Sequence, residues 1–465
     1  MNLDSLFYPK SIAVIGASAK FGGGKVPYYH MLKTGGYKGD LYPVNPKYDE
    51  IDGVKFYSSI DALPEGIDLA IVTAPFRESL NIMNAVARKK IKFVHFFTAG
   101  FSEVGNNDLE GGLLDVAKKS GTRIVGPNCI GIYCSEARIS FGFSVQENTS
   151  MNVGFFGQSG GVTSSFMRSA ISSRIGLNKV VSYGNQIDIG VEDYLEYFAK
   201  DEEIKLIAGY VEDLKDPRAF LNTLKRATEV KPVILLKGGM TEVGAKAAAS
   251  HTGAMASNFL IWSSAMRQHG AILVESFEQM MNLAMLGICE KPPQGPRVGF
   301  LVAGGGEAVT FTDLATLGGL SLPELQKNTQ ELIRQKISDV NTSTANPVDL
   351  GMFGFDFNVM SHTIMAMDRD DRIDVIIPFL SVDFIGTFQR DQIDDGPGII
   401  IEAAKKAKKP VILVLSTCSQ DNIDMEKTRI SMFSTFREAG LPVFATTQDC
   451  ICSISKYLEW AGKHR

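Results

Sequence analysis

Of the six histidines in the chain, His251 has the setting best suited to chemistry. It lies in Gly244-Ala245-Lys246-Ala247-Ala248-Ala249-Ser250-His251-Thr252-Gly253-Ala254, a stretch almost without bulk. A core histidine normally has bulky neighbours, whereas small ones suit an exposed loop from which an imidazole can approach a large anion and attack phosphorus. A solvent-exposed structural histidine fits the same residues equally well. His30, His95, His269, His362 and His464 have no comparable setting. Glu212 ends the apolar run Ile207–Val211 and is followed by Asp213. A carboxylate there could accept a proton from one imidazole nitrogen and leave the other free to attack. The plainer alternative is an exposed acid capping a helix.

Two glycine loops could hold anions. Gly157-Gln158-Ser159-Gly160-Gly161-Val162-Thr163 stands where a helix should begin, so its free N–H donors and positive dipole end favour a phosphate, with tight helix packing as the competing reason for the glycines. The loop lacks the G-x-x-x-x-G-K-[ST] spacing of a nucleoside triphosphate site. The earlier loop, Gly16 to Gly24, places Ala17 and Ser18 after Gly16 and so departs from the dinucleotide fingerprint G-x-G-x-x-G. A nicotinamide-dependent oxidoreductase is therefore weakly supported. A tight turn of small residues still lets backbone N–H groups approach a phosphate, with Lys25 or Lys47 as countercharge.

These loops need a scaffold. Short apolar runs at Ile12–Ile15, Leu69–Val72 and Phe93–Phe97 alternate with helical segments, which predicts a parallel sheet covered by helices. The strand ends Gly16-Ala17-Ser18, Val44-Asn45-Pro46, Thr73-Ala74-Pro75 and Thr98-Ala99-Gly100 should converge on one crevice, because ligands collect at the carboxyl ends of strands in open α/β sheets. A second unit begins near Met151 with Val153–Phe156, and a third follows the linker Lys291–Pro296 with Val298–Val302 and Ala303-Gly304-Gly305-Gly306. Both units open with Val-Gly-Phe and later carry Lys-Pro-Val-Ile-Leu, at Lys231–Leu235 and Lys409–Leu413, which predicts two domains of one flavodoxin-like kind. In the third unit, Gly304–Glu307 and Asn346–Leu350 mark loop ends that suit packing or subunit contact at least as well as chemistry.

Composition narrows the field. A length of 465 residues, nearly half of them apolar, is enough for three domains with separate cores. A formal net charge of -5 and the lack of a Lys/Arg stripe argue against a nucleic-acid partner. The six cysteines show neither C-x-x-C metal spacing nor a disulfide framework, so reduced thiols in a cytoplasmic protein are expected, with no metal site. No apolar stretch approaches the ~20 residues needed to span a bilayer, and the first residues do not resemble a signal segment.

Taken together, these motifs resemble, over essentially the full length, the α subunit of ADP-forming acetyl-CoA synthetases, relatives of the succinyl-CoA synthetase α subunit. The resemblance rests on Ser11–Ser18, Tyr42–Lys47, Gly126-Pro127-Asn128-Cys129-Ile130-Gly131, Ser159-Gly160-Gly161 and Ser250–Ala254, in that order. It implies a Rossmann-like CoA-binding domain over residues 1–135, a flavodoxin-like domain with a phosphohistidine loop over 150–290 and a second flavodoxin-like, ligase-CoA domain over 296–465.

It also implies a relay in which acyl-CoA and phosphate give acyl phosphate and CoA, the phosphoryl group moves to His251, and phosphohistidine then phosphorylates ADP. Glu212 would orient His251, and Ser159, Gly160 and Gly161 would hold its phosphate. Coenzyme A would lie along Gly16, Ala17, Ser18, Lys25, Val44, Asn45, Lys47, Thr73, Ala74, Pro75, Thr98, Ala99 and Gly100. The ATP-grasp portion fused to this part in some relatives has no counterpart before Arg465. The family pattern therefore expects ADP/ATP and Mg2+ mainly on a separate β subunit, in an α2β2 heterotetramer, with the His251 loop swinging between distant sites. The rival readings are a CoA-sensing regulator without phosphoryl transfer and a synthetase for a succinyl or aryl acyl group.

Overall fold

The computed structural model describes residues 2–18, 27–51, 53–141, 151–246, 258–338, 340–388, 393–419 and 422–463. Two compact units are resolved, residues 1–280 and 281–465.

The first sheet consists of β1 (Ser11–Ile15), β2 (Asp40–Val44), β3 (Leu69–Val72), β4 (Phe93–Phe96) and β5 (Arg123–Val125) in the order β2-β1-β3-β4-β5, all parallel. Its strands are apolar on both faces because helices cover both, and β3 is buried at every position. After β5 the chain leaves this sheet. The tight turn from Gly126 to Gly131 delivers β6 (Gly131–Cys134) as the antiparallel edge of a second, six-stranded sheet.

The rest of that sheet is β7 (Val153–Gly157), β8 (Leu177–Ser182), β9 (Leu206–Val211), β10 (Val233–Lys237) and β11 (Ile272–Val274), in the order β11-β10-β9-β7-β8-β6. The first unit's two sheets share an apolar core that includes Phe7, Ile12, Phe156 and Leu235, and Phe7 stacks on Tyr197 with ring centroids 5.2 Å apart. Polar ties reinforce it. The Arg123 guanidinium grips Asp188 through Nε at 2.8 Å and Nη2 at 3.0 Å, and the Asp188 carboxylate also accepts the Ile124 N–H at 2.8 Å.

The second unit is built on β12 (Val298–Val302), β13 (Val348–Asp349), β14 (Val375–Ser381), β15 (Leu413–Ser416) and β16 (Val443–Phe444), in the order β13-β12-β14-β15-β16. Counting from the first parallel strand of each, this sheet and the second sheet share one parallel order, 2-1-3-4-5, the flavodoxin-like winding anticipated from the repeated segments. The match extends to side chains. Phe155 on β7 stacks on Phe166 with centroids 3.8 Å apart, and Phe300 on β12 stacks on Phe311 at 3.6 Å, each pair eleven positions apart in sequence. The glycine of each Val-Gly-Phe leaves room for the covering apolar layer: a Cβ on Gly154 would lie 3.0 Å from Ile204 and Phe198, and one on Gly299 would lie 2.8 Å from Ile373. In the loop ends of the second unit, Asn346 serves packing, since its side chain accepts from the Phe300 N–H and donates to the Val298 and Pro323 carbonyls.

Candidate functional site

The first crevice forms where strand order reverses, between β1 and β3. The Val44 carbonyl accepts the N–H groups of Gly16 and Ala17, and the Asn45 amide donates to the Ala17 carbonyl at 2.8 Å. Thr73 Oγ1 lies within hydrogen-bonding reach of the Ile15 and Gly16 carbonyls, at 3.1 and 3.2 Å, and Thr98 Oγ1 donates to the Ala74 carbonyl at 2.7 Å. Four strand ends foreseen from their small residues are thus knitted into one rim. Gly16 sits at φ +84°, and a Cβ there would come within 3.0 Å of the Ala74 amide and Thr73 Oγ1, so a side chain would wedge the two central loops apart. Lys47 is exposed, and its N–H is held by Asn45 Oδ1 at 3.0 Å. Pro75 and Ala99 are exposed on the rim, whereas Ser18 is buried. Lys25 lies outside the described residues.

The rim has a support that residue types did not point to. Glu103 Oε1 accepts the N–H groups of Gly100 and Phe101, at 2.5 and 3.1 Å, and its Oε2 accepts from the Asn185 amide at 2.7 Å. Burial alone would push this carboxyl up, but the hydrogen bonds from Gly100, Asn185 and Phe101 outweigh it and hold it below its usual value.

The second crevice lies between β7 and β9, again the point of strand reversal. The helix Gly160–Ser172 starts on Ser159, whose Oγ accepts the Val162 N–H at 3.4 Å. The N–H groups of Gly160 and Gly161 belong to the first turn, where a helix has no internal acceptors, and both residues are at least partly open to solvent. Glu212, just beyond β9, is buried and only 8% exposed, which removes the reading of an exposed cap acid. The Tyr210 phenol has this carboxylate as its neighbour; burial first and then that negative charge keep the phenol protonated well above its usual value. Gly238 makes room for the pair, since a Cβ there would fall 2.4 Å from the Tyr210 hydroxyl and 2.9 Å from Glu212 Cγ.

The structure therefore brings Glu212 and the Ser159-Gly160-Gly161 helix start to one crevice. His251 lies outside the described residues. Two buried neighbours escaped the sequence reading: Gln158, whose Oε1 accepts the Glu212 N–H at 2.9 Å, and Lys237, whose Nζ donates to the Glu212 carbonyl at 2.8 Å. Burial lowers the Lys237 ammonium pKa, partly opposed by Asp213 and Glu212. The signal available for Lys237 is a lysine closing the otherwise apolar strand Val233–Leu236.

Three further facts bear on the remaining expectations. The six cysteines form no disulfide. No cluster of three or more His, Cys, Asp or Glu able to hold a metal ion occurs among the described residues. No helix among them is long and apolar enough to cross a membrane.

Comparison with known proteins places both sheets of the first unit in known domain families. A CoA binding domain family matches residues 10–135, and a Succinyl-CoA ligase like flavodoxin domain family matches residues 150–286. The chain is 33% identical to the Pyrococcus furiosus acetate–CoA ligase (ADP-forming) I subunit alpha, covering 100% of both chains. It is 37% identical over 348 residues to an ADP-forming acetate–CoA ligase of Methanocaldococcus jannaschii, and there the match spans 75% of this chain but only 49% of that longer protein. Among solved structures, the dinucleotide-forming acetyl-coenzyme A synthetase 1 of Candidatus Korarchaeum cryptofilum, in complex with phosphate and ADP, superposes with a TM-score of 0.87 at 28% identity, covering 100% of this chain and 97% of that one. The chain belongs to the ADP-forming acetate–CoA ligase family, in which its counterpart is the α subunit.

Proposed function

We propose that this chain is the α subunit of an ADP-forming acyl-CoA synthetase, with acetyl-CoA as the favoured substrate, working in the cytoplasm with an ATP-grasp β subunit in an α2β2 assembly. Coenzyme A binds along the rim formed by Gly16–Ser18, Val44–Lys47, Thr73–Pro75 and Thr98–Gly100, with Lys25 as added countercharge. Phosphate, held at the helix start Ser159-Gly160-Gly161, attacks the thioester carbonyl, giving acyl phosphate and free CoA. The imidazole of His251 then attacks phosphorus, the carboxylate leaves, and the phosphoryl group passes from His251 to ADP. The nucleotide and Mg2+ reside mainly on the partner subunit.

The observation that carries this reading is the burial of Glu212 beside an open helix N-terminus. A carboxylate at that place takes the proton on one nitrogen of His251 and stabilises the cationic ring formed on phosphorylation, while the first-turn N–H groups stabilise the phosphate. A regulator that only binds CoA has no use for such a carboxylate. His251→Asn tests the relay. Turnover with ADP should disappear while phosphate-dependent release of CoA from acyl-CoA persists, because only the later transfer uses the imidazole. Loss of both steps together contradicts this order.

A further inference from the structure

The turn that carries Glu212 is held almost entirely by side chains from other loops. Gln158 Oε1 accepts two N–H groups, Glu212 at 2.9 Å and Asp213 at 2.8 Å. Lys237 Nζ donates to the Glu212 carbonyl at 2.8 Å, and Gln186 Nε2 donates to the Asp213 carbonyl at 3.2 Å. All the backbone polar groups of residues 212 and 213 are thus bound by three buried side chains, from the loop after β7, the loop after β8 and the last position of β10. The Gln158 amide has one orientation here, since its NH2 would face two N–H donors.

Gln158 differs from the other two in position. It immediately precedes Ser159, the cap of the helix proposed to hold phosphate, and its own N–H donates to the Tyr210 carbonyl at 3.1 Å. It therefore spans the point of strand reversal and links the anion-binding end of the helix directly to the acid. We propose that Gln158 is a positioning residue for phosphoryl transfer: its side-chain oxygen sets where the Glu212 carboxylate stands relative to the Ser159-Gly160-Gly161 helix start. An error of about 1 Å in such a placement lowers a rate on the order of a hundredfold. The inference rests on the role proposed for Glu212.

Gln158→Met keeps the length and apolar stem of the side chain and removes the acceptor, leaving two buried N–H groups to relax. In the assembled enzyme, labelling of His251 from radiolabelled ATP and Mg2+ should slow by about 10- to 100-fold, while CoA affinity and phosphate-dependent CoA release stay within about threefold of wild type, because the Ser159 cap and the Gln158 N–H to Tyr210 bond remain.

A double variant separates positioning from a general structural effect. If Gln158 acts through Glu212, adding Gln158→Met to Glu212→Gln should cost no more than about a further twofold, whereas a structural weakening would multiply the two losses. Wild-type labelling in Gln158→Met, or multiplied losses in the double variant, overturns the proposal. Should Gln158→Met fail to fold, Gln158→Glu carries the test, because its carboxylate can accept the same two N–H groups. It should keep labelling within about tenfold of wild type, and a loss as deep as that of Glu212→Gln overturns the proposal. Wild-type enzyme run in parallel keeps the two readings apart, since an absence of label there removes the relay itself and not the role of Gln158.

Discussion

Replacing Glu103 by alanine removes the acceptor that holds the N–H groups of Gly100 and Phe101 at 2.5 and 3.1 Å, together with its bond to Asn185. A hydrogen bond to a charged group contributes about 1.5–3 kcal/mol when well sheltered. Glu103 is only partly buried and water can replace part of what is lost, so roughly half of that sum, about 2 kcal/mol for the two backbone bonds, is expected. For a unit of this size that is a fall in Tm of about 4–6 °C.

The same bonds order the Thr98–Gly100 part of the rim proposed to bind CoA. If about 1 kcal/mol of the loss falls on that loop alone, CoA binding weakens about fivefold. Calorimetric titration of CoA and thermal unfolding measure the two effects. The pH dependence follows from the sign of the shift. The carboxyl is held below its usual value in the fold, so its contribution is complete above the usual unfolded carboxylate pKa of about 4.3 and is lost as pH falls through the folded value. Glu103→Gln should flatten that part of the acid limb. An alanine variant with unchanged Tm and unchanged CoA affinity would refute the reasoning.

Other predictions follow from the same geometry. Gly16→Ala introduces a side chain at φ +84° and within 3.0 Å of the Ala74 amide and Thr73 Oγ1, and should cost about 1–2 kcal/mol in stability and reduce CoA affinity at least tenfold by calorimetry, against an expectation of no change if the loop lay outside the CoA site. Phe166→Ala and Phe311→Ala each delete one member of a stacked pair in a different unit, and each should cost about 3–5 kcal/mol. Differential scanning calorimetry should show a different transition moving in each variant, and movement of the same transition in both would contradict two separately cored units.

Much of this arrangement was readable from residues because local chemistry and tertiary role coincide there. Apolar runs buried on both faces, such as Leu69–Val72 and Leu206–Val211, leave little choice but a covered parallel strand. The small residues after Ile15 and Val72 announce turns that other backbones approach closely. The repeat between the second and third sheets was visible in Val-Gly-Phe, and the matched Phe155–Phe166 and Phe300–Phe311 stacks explain it, since the phenylalanine of each motif lies under the helix that follows.

Gln158, Lys237 and Glu103 were not readable in this way. A glutamine between glycine and serine looks like a polar spacer, and its partners at Glu212 and Asp213 lie more than fifty residues away. They become neighbours only because β9 pairs with β7, and that strand order is a property of the sheet, not of either segment. Glu103 looks like any solvated acid until the chain turns back on its own Gly100 amide. Glu212 itself could be singled out by position, but whether it was buried or exposed depended on Tyr210, Gly238 and Lys237 closing around it.

The most direct test of the account is phosphoryl labelling of the chain assembled with the proposed ATP-grasp partner, using radiolabelled ATP and Mg2+ and mapping acid-labile, base-stable phosphate by peptide. The account predicts label on His251 that discharges when ADP is added and that forms far more slowly in Glu212→Gln. A folded, CoA-binding complex that takes up no label would contradict the relay and leave a protein that binds CoA without transferring phosphate.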